Sequence, residues 1–180
     1  MTVDLNHAFD LAAGPGAAAA VFAYAHAGIN ADAGSLLTTA SVYDVPNLRS
    51  RRVWTDDAAA YPTGNFKRLD RNLYFERVIE GKRPFHSTTI EEIATVFFDW
   101  EKIRDLGMES NMNLPAIAGG EVIGSINLLN RKGHFTADRV AAVMAWQPVA
   151  TLAFLLLMKD GETATFHPGG APEGPAAMEG

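Results

Sequence analysis

The sequence predicts an α+β fold: an antiparallel sheet with the N- and C-terminal helices together on one face. Three observations point there. The chain opens on an alanine-rich, helix-forming stretch and returns near its end to a long uncharged helical run. Between them lie two pairs of β-branched or apolar segments, each joined by turn residues. Strands and helices come in blocks rather than in alternation, which favours an antiparallel sheet over a parallel one.

Each element has a local reason. Residues 5–28 are predicted helical, with high propensity over Ala17 to Ala27 and Phe22 and His26 on one side at i, i+4. "GPG" at 14–16 breaks that run. "GSLLTTASVYDV" (34–45) is rich in β-branched residues and reads as a strand; Pro46 and Asn47 turn it into "LRSRRVWTD" (48–56), its hairpin partner. Residues 57–70 hold Pro62, Gly64 and Asn65 and read as loop. "RNLYFERVIEG" (71–81) reads as a short helix closed by Gly81, with Leu73, Val78 and Ile79 as its apolar positions. "RPFHSTTI" (83–90) is a short extended piece. A helical segment from Ile90 follows, joined near Asp99 and ended by Gly107. Leu114–Ile117 and Val122–Leu129 form a second hairpin about Gly119 and Gly120. Residues 138–158 form the last helix, with Thr136 as its N-cap.

One domain over 1–160 suits this length, and the Gly-, Pro- and Ala-rich 161–180 reads as a tail without a core of its own. The net charge of −6 argues against nucleic acid as a partner, because phosphate binding needs a clustered basic surface. The groups Arg49, Arg51, Arg52 and Lys67, Arg68, Arg71 read as solvated faces ahead of an anion site. With no cysteine, thiol nucleophiles, disulfides and cysteine–metal sites are excluded. The acidic N-terminus lacks a basic n-region, so a cytoplasmic location is expected. Val140–Met158 is uncharged over a membrane-spanning length, but Gln147, Pro148 and Thr151 sit at its middle. We expect no membrane span there, but a buried helix in the core or between subunits.

The informative stretch is "ESNMNLPAIAGGEVIGSINLL", Glu109–Leu129, where amides interrupt apolar strands. Side chains alternate across a sheet. Glu109, Asn111 and Asn113 therefore share one face of the first strand, and Ser110, Met112 and Leu114 the other. In the second strand Ile123, Ser125, Asn127 and Leu129 oppose Val122, Gly124, Ile126 and Leu128. The apolar set suits a helix layer. The amides and Ser125 then face either solvent or a cavity, and Phe97, Phe98 and Trp100, which need an apolar surface, favour a covered cavity.

"NLPAIAGGEVIGSINLLNRKGHFTADR" resembles the second half of a GAF domain, with Pro115, Gly120, Glu121, Val122, Ile123, Gly124, Asn130, Phe135, Thr136 and Asp138 at matching places. "FERVIEGKRPF" resembles the helix, glycine and strand of that family's middle. The resemblance implies a GAF-like antiparallel sheet with the terminal helices on one face and a ligand pocket on the other. The family senses small molecules such as cyclic nucleotides, bilins, haem or metabolites; a few members reduce free methionine sulfoxide. The absence of cysteine removes that reduction and covalent bilin attachment. Arg131 and Arg139 depart from the cyclic-nucleotide signature that Asn130, Phe135 and Asp138 partly match.

Two functions follow as expectations. The first is binding of a small polar metabolite, without cofactor or metal, by Asn111, Asn113, Ser125 and Asn127, with Trp100 at the wall and Tyr61 closing from its loop. The second is a cofactor-independent hydrolase, isomerase or lyase with His86 or Glu109 as the acid–base group. No HExxH, Walker loop or GxSxG is present. His26 reads as a packing residue, and His7, His134 and His167 as end or loop residues. The apolar girth of the last helix exceeds what one sheet face can cover, which predicts a homodimer through the terminal helices.

Overall fold

The computed structural model describes residues 2–160 and the backbone of 178–179. Apart from those two residues, the predicted tail, His167 included, lies outside the described residues. The strands are β1 (Leu37–Asp44), β2 (Arg49–Thr55), β3 (Phe66–Arg68), β4 (Phe85–Ser87), β5 (Ser110–Ala118), β6 (Glu121–Asn130) and the two-residue β7 (Met178–Glu179). They lie in the order β4-β5-β6-β1-β2-β3-β7. Every neighbouring pair is antiparallel except β3 with β7. The two predicted hairpins are therefore β1–β2 and β5–β6, and β6 joins them by pairing with β1.

Helices α1 (Leu5–Ala12), α2 (Ala17–Asp32), α5 (Ala137–Met144) and α6 (Gln147–Lys159) cover one face. Their core joins Phe22, Ile29, Trp146 and Phe154 to Ala40, Val42, Met112, Leu114, Ile126 and Leu128 of the sheet. Burial of apolar side chains of this size, at about 1.5–3 kcal/mol each, holds the two layers together. Two glycines set the approach. A Cβ at Gly28 would fall 1.9 Å from the Trp146 ring, and one at Gly124 would fall 2.5 Å from Phe154 and 2.7 Å from the Ser41 carbonyl oxygen. Both positions are small because rings and backbone lie against them, not because of a special φ.

Several expectations are corrected. The final helix is two: α5 and α6 bend by 46° at a short break, where Pro148 opens the second. No single helix among the described residues is long and apolar enough to cross a membrane. Thr136 occupies the N-cap position of α5, but its side chain caps nothing. The segment before Gly81 is a π-helix, Phe75–Glu80, closed by a bond from the Gly81 N–H to the Glu76 carbonyl at 2.8 Å. Leu73 is no part of its apolar face, being 57% exposed. Strand β3 lies inside the stretch predicted as loop. At the β5–β6 turn a bulge beside Ala116 inverts the predicted faces: Val122 joins the apolar cluster on the far side of the sheet, and Ile123 packs toward the helices.

Candidate functional site

The other sheet face is covered by two short helices, α3 (Ile90–Ala94) and α4 (Trp100–Asp105), the residues between them, and the β2–β3 loop. Beneath them lies a cavity of about 860 Å³, counted with its mouth open to solvent. Its floor is the sheet. Thr39 and Tyr43 of β1, Ser50 and Arg52 of β2, and Asn111, Asn113 and Asn127 of β5 and β6 line it, as period-two alternation requires. Tyr61, Lys67, Tyr74, Val96, Phe97 and Phe98 supply walls.

The floor residues form one hydrogen-bonded chain. Asn111 Nδ2 donates to Asn113 Oδ1 at 2.8 Å, and Asn113 Nδ2 donates to Asn127 Oδ1 at 2.8 Å. Asn127 Nδ2 reaches Thr39 Oγ1, its cross-strand partner, at 3.3 Å. Ser125 Oγ donates to the same Asn127 Oδ1 at 2.6 Å. A serine hydroxyl has one hydrogen, so Tyr43 must donate to Ser125 Oγ (2.6 Å) and Tyr74 to Tyr43 (2.5 Å). The chain thus runs one way from Tyr74 to Asn127 and one way from Asn111 to Asn127. Asn127 Oδ1, receiving from both sides, is saturated. Burial, then the neighbouring Tyr74, pushes the Tyr43 phenol well above 10.0; burial likewise raises Tyr74.

The cations of the cavity are held in place. Lys67 Nζ bonds Asp99 Oδ1 at 2.8 Å and lies 4.9 Å from the centre of the Phe97 ring and 5.0 Å from that of Phe98. Asp99 stands at the N-cap of α4 but spends its carboxylate on Lys67. The Arg52 guanidinium lies 4.6 Å from the Tyr61 ring and donates to the Pro62 carbonyl at 2.9 Å. Arg68, also at the cavity, pairs with Asp70, and outside it Arg49 pairs with Asp44. These pairs account for much of the basic grouping in the sequence without a shared anion.

Of the residues expected to touch a ligand, Asn111, Asn113, Asn127 and Tyr61 line the cavity. Ser125 is fully buried and braces Asn127 from outside the lining. Tyr61 is 4% exposed, with Arg52 and Lys102 both against its ring. Trp100 packs on the neighbouring apolar cluster, beside Arg104, and does not line the space. His86 is displaced from its expected place. Phe85 and Ser87 pair with Asn113 and Asn111, so the alternation turns His86 to the opposite face, where it is exposed. Its imidazole lies below the ordinary value through partial desolvation and the Arg77 charge, against a weaker pull from Glu92. Glu109, just before β5, also lies outside the cavity. Among the described residues no group of three or more His, Cys, Asp or Glu side chains could hold a metal.

Thr39, Tyr43, Tyr74, Arg52, Lys67 and Asp99 were not anticipated as cavity residues. The alternation of Leu37, Thr39, Ser41 and Tyr43 carried the signal for the first two. Lys67 had none, because the segment that holds it reads as loop.

No protein-family profile and no curated protein matches the chain. Solved structures do. The chain is similar to the GAF domain of a two-component sensor histidine kinase from Bacillus halodurans, with TM-score 0.64 and 8% identity over 78% of this chain and 95% of that one. It is similar to the GAF domain of a phosphoenolpyruvate-protein phosphotransferase from Coxiella burnetii, with TM-score 0.64 and 14% identity over 89% and 94%. The second GAF domain of DevS from Mycobacterium smegmatis matches with TM-score 0.57 and 17% identity over 81% and 99%. At such identities the likeness establishes the fold, and that fold is the GAF fold.

Proposed function

We propose that this protein binds a small polar metabolite in the cavity floored by Asn111, Asn113 and Asn127. The observation that carries the reading is the buried amide chain. Asn111 and Asn113 are 2% and 5% exposed on a sheet face that a purely structural core would fill with apolar side chains. A buried polar group left short of a partner costs about 1–3 kcal/mol, and the unanswered Asn111 Oδ1 at the end of that chain, under an open cavity, suits a polar guest. The GAF fold, which typically serves as a small-molecule-binding sensor domain, supports the same reading.

The enzymatic alternative draws no support from the geometry, because His86 and Glu109 lie away from the cavity and from each other's face of the sheet. The proposal also includes a second copy of the chain against α1 and α6. Those helices touch, and they carry Leu5, Phe9 and Leu155 at 45%, 61% and 43% exposure. Sedimentation as a monomer at micromolar concentration would remove that part.

The cavity itself is tested by a metabolite library read by thermal shift on wild type, Asn111→Ala and His86→Ala. A hit should raise the melting temperature of wild type and His86→Ala alike and leave Asn111→Ala unmoved. Equal shifts in all three would place binding elsewhere.

A further inference from the structure

The amide chain has a polarity, and its polarity leaves one end unanswered. Asn127 Oδ1 accepts from Asn113 and Ser125, and Asn113 Oδ1 accepts from Asn111. Asn111 Oδ1 accepts from nothing, although its residue is only 2% exposed. Of the three carbonyl oxygens on the floor, this one alone is an orphan. Directly across the strand pair, Ser87 Oγ is a second buried orphan. These two are cross-strand neighbours yet do not bond each other, so this end of the floor is short of a hydrogen-bonding group. A buried polar atom normally finds a partner, and Asn111 lines the cavity.

The missing group must be a donor. An acceptor-only anion, a carboxylate or a phosphate, would meet the lone pairs of Asn111 Oδ1 and be repelled. The cations that line the cavity are already answered: Lys67 by Asp99 at 2.8 Å, Arg68 by Asp70 at 2.6 Å, and Arg52 by the Pro62 carbonyl at 2.9 Å and the Tyr61 ring. The walls add a shape. Tyr74 and Phe97 lie 5.1 Å apart with their rings at 60°, and Phe98 stands beside them, which suits the face and edge of a flat ring.

Resting on the binding reading above, we propose that the cavity selects an uncharged flat molecule whose N–H edge donates to Asn111 Oδ1: an aromatic carboxamide or a lactam ring, not a carboxylate or phosphate. The N–H supplies the donor that the amide chain lacks. The ring replaces water against Tyr74, Phe97 and Phe98.

Three matched probes test this: benzamide, N,N-dimethylbenzamide and benzoate. They share a ring and differ in the donor and the charge. Binding to the wild-type protein is followed by thermal shift and by the side-chain amide NMR signals of Asn111 and Asn113. Benzamide should move those signals and, at ten times its Kd, raise the melting temperature by about 3–6 °C. The other two should bind about 10- to 100-fold more weakly, because they leave Asn111 Oδ1 buried without a donor. Asn111→Leu should abolish the preference. The comparison of probes on wild type stands even if that variant folds poorly. If benzoate or the dimethyl compound moves the same signals as strongly, the donor rule is wrong while the cavity remains a binding site. If no probe moves them at 10 mM (on the order of a millimolar Kd or weaker), the flat-amide rule falls, and the library screen above decides the binding reading by itself.

Discussion

Gly28 lies flat against the indole of Trp146, so close that a single added methyl carbon would sit 1.9 Å from two of its ring atoms. That contact joins α2 to the break between α5 and α6, and Trp146 is fixed there by a 2.9 Å bond from Nε1 to Asp32 Oδ2. In an exposed helix, Gly→Ala stabilises by about 0.5–1 kcal/mol. Here the sign should reverse. Gly28→Ala should cost about 3 kcal/mol or more, at or above the top of the usual range for overpacking. Chemical denaturation reads it. A Trp146→Leu background should recover part of the loss, and a strictly additive double mutant would show that the two residues do not meet.

The amide chain predicts unequal losses from its members. Asn113 bonds on both sides, so Asn113→Ala strands Asn111 Nδ2 and removes one donor from Asn127. It should cost about 2–3 kcal/mol. Ser125→Ala leaves Asn127 Oδ1 with its Asn113 donor and takes the acceptor from Tyr43, but a hydroxyl, unlike an amide, can rotate its hydrogen toward the cavity that Tyr43 lines. It should cost about 0.5–1.5 kcal/mol. Urea unfolding of the two variants checks the order. Equal costs would mean the chain does not act as drawn.

Much of this architecture is legible in the residues themselves. Asn111 and Asn113 alternate with Met112 and Leu114, and a two-residue period places them on opposite faces without further knowledge. The same rule puts His86 with Met112 rather than with Asn111, but only once the β4–β5 register is known; a three-residue strand carries too little pattern to set its own register. Strand β3 was hidden for a related reason. "FKR" between Asn65 and Leu69 has no alternation to detect, and it is a strand because Arg49–Arg51 offers it a paired edge. Lys67 and its bond to Asp99 are then consequences of tertiary contact over 32 residues. The break between α5 and α6 is the reverse case. Pro148 announced it, but an unbroken apolar run masked the signal.

Acid should weaken the fold partly through Asp56. Burial alone would raise this carboxyl. The bonds from His26 Nε2 at 3.0 Å and from the Thr38 N–H at 2.8 Å outweigh it and hold the group below its ordinary value of 3.8. A folded-state value below the unfolded one means stability that is present above about pH 4 and lost as pH falls through the lower value. The advantage of wild type over Asp56→Asn should therefore shrink as pH falls below about 4. An advantage that persisted unchanged to pH 2 would contradict the assignment.

The alkaline limb should belong to Tyr43 and Tyr74. Both phenols are pushed above 10.0, first by burial, and a charge on either would face its neighbour across 2.5 Å. Here the folded-state values exceed the unfolded ones and the favoured form is the protonated one. Their contribution is thus complete below pH 10 and declines as pH rises through the folded values. In an ultraviolet titration of tyrosinate, these two of the chain's four tyrosines should still be protonated above pH 10 and ionise together with unfolding. Tyr43→Phe takes the middle out of the relay, since Tyr74 loses its acceptor and Ser125 its donor. It should cost about 1 kcal/mol at neutral pH and make the remaining loss of stability above pH 10 less steep. If all four tyrosines ionise near pH 10 while the protein stays folded, the hydroxyls face water, and the one-way chain from Tyr74 to Asn127 does not exist in solution.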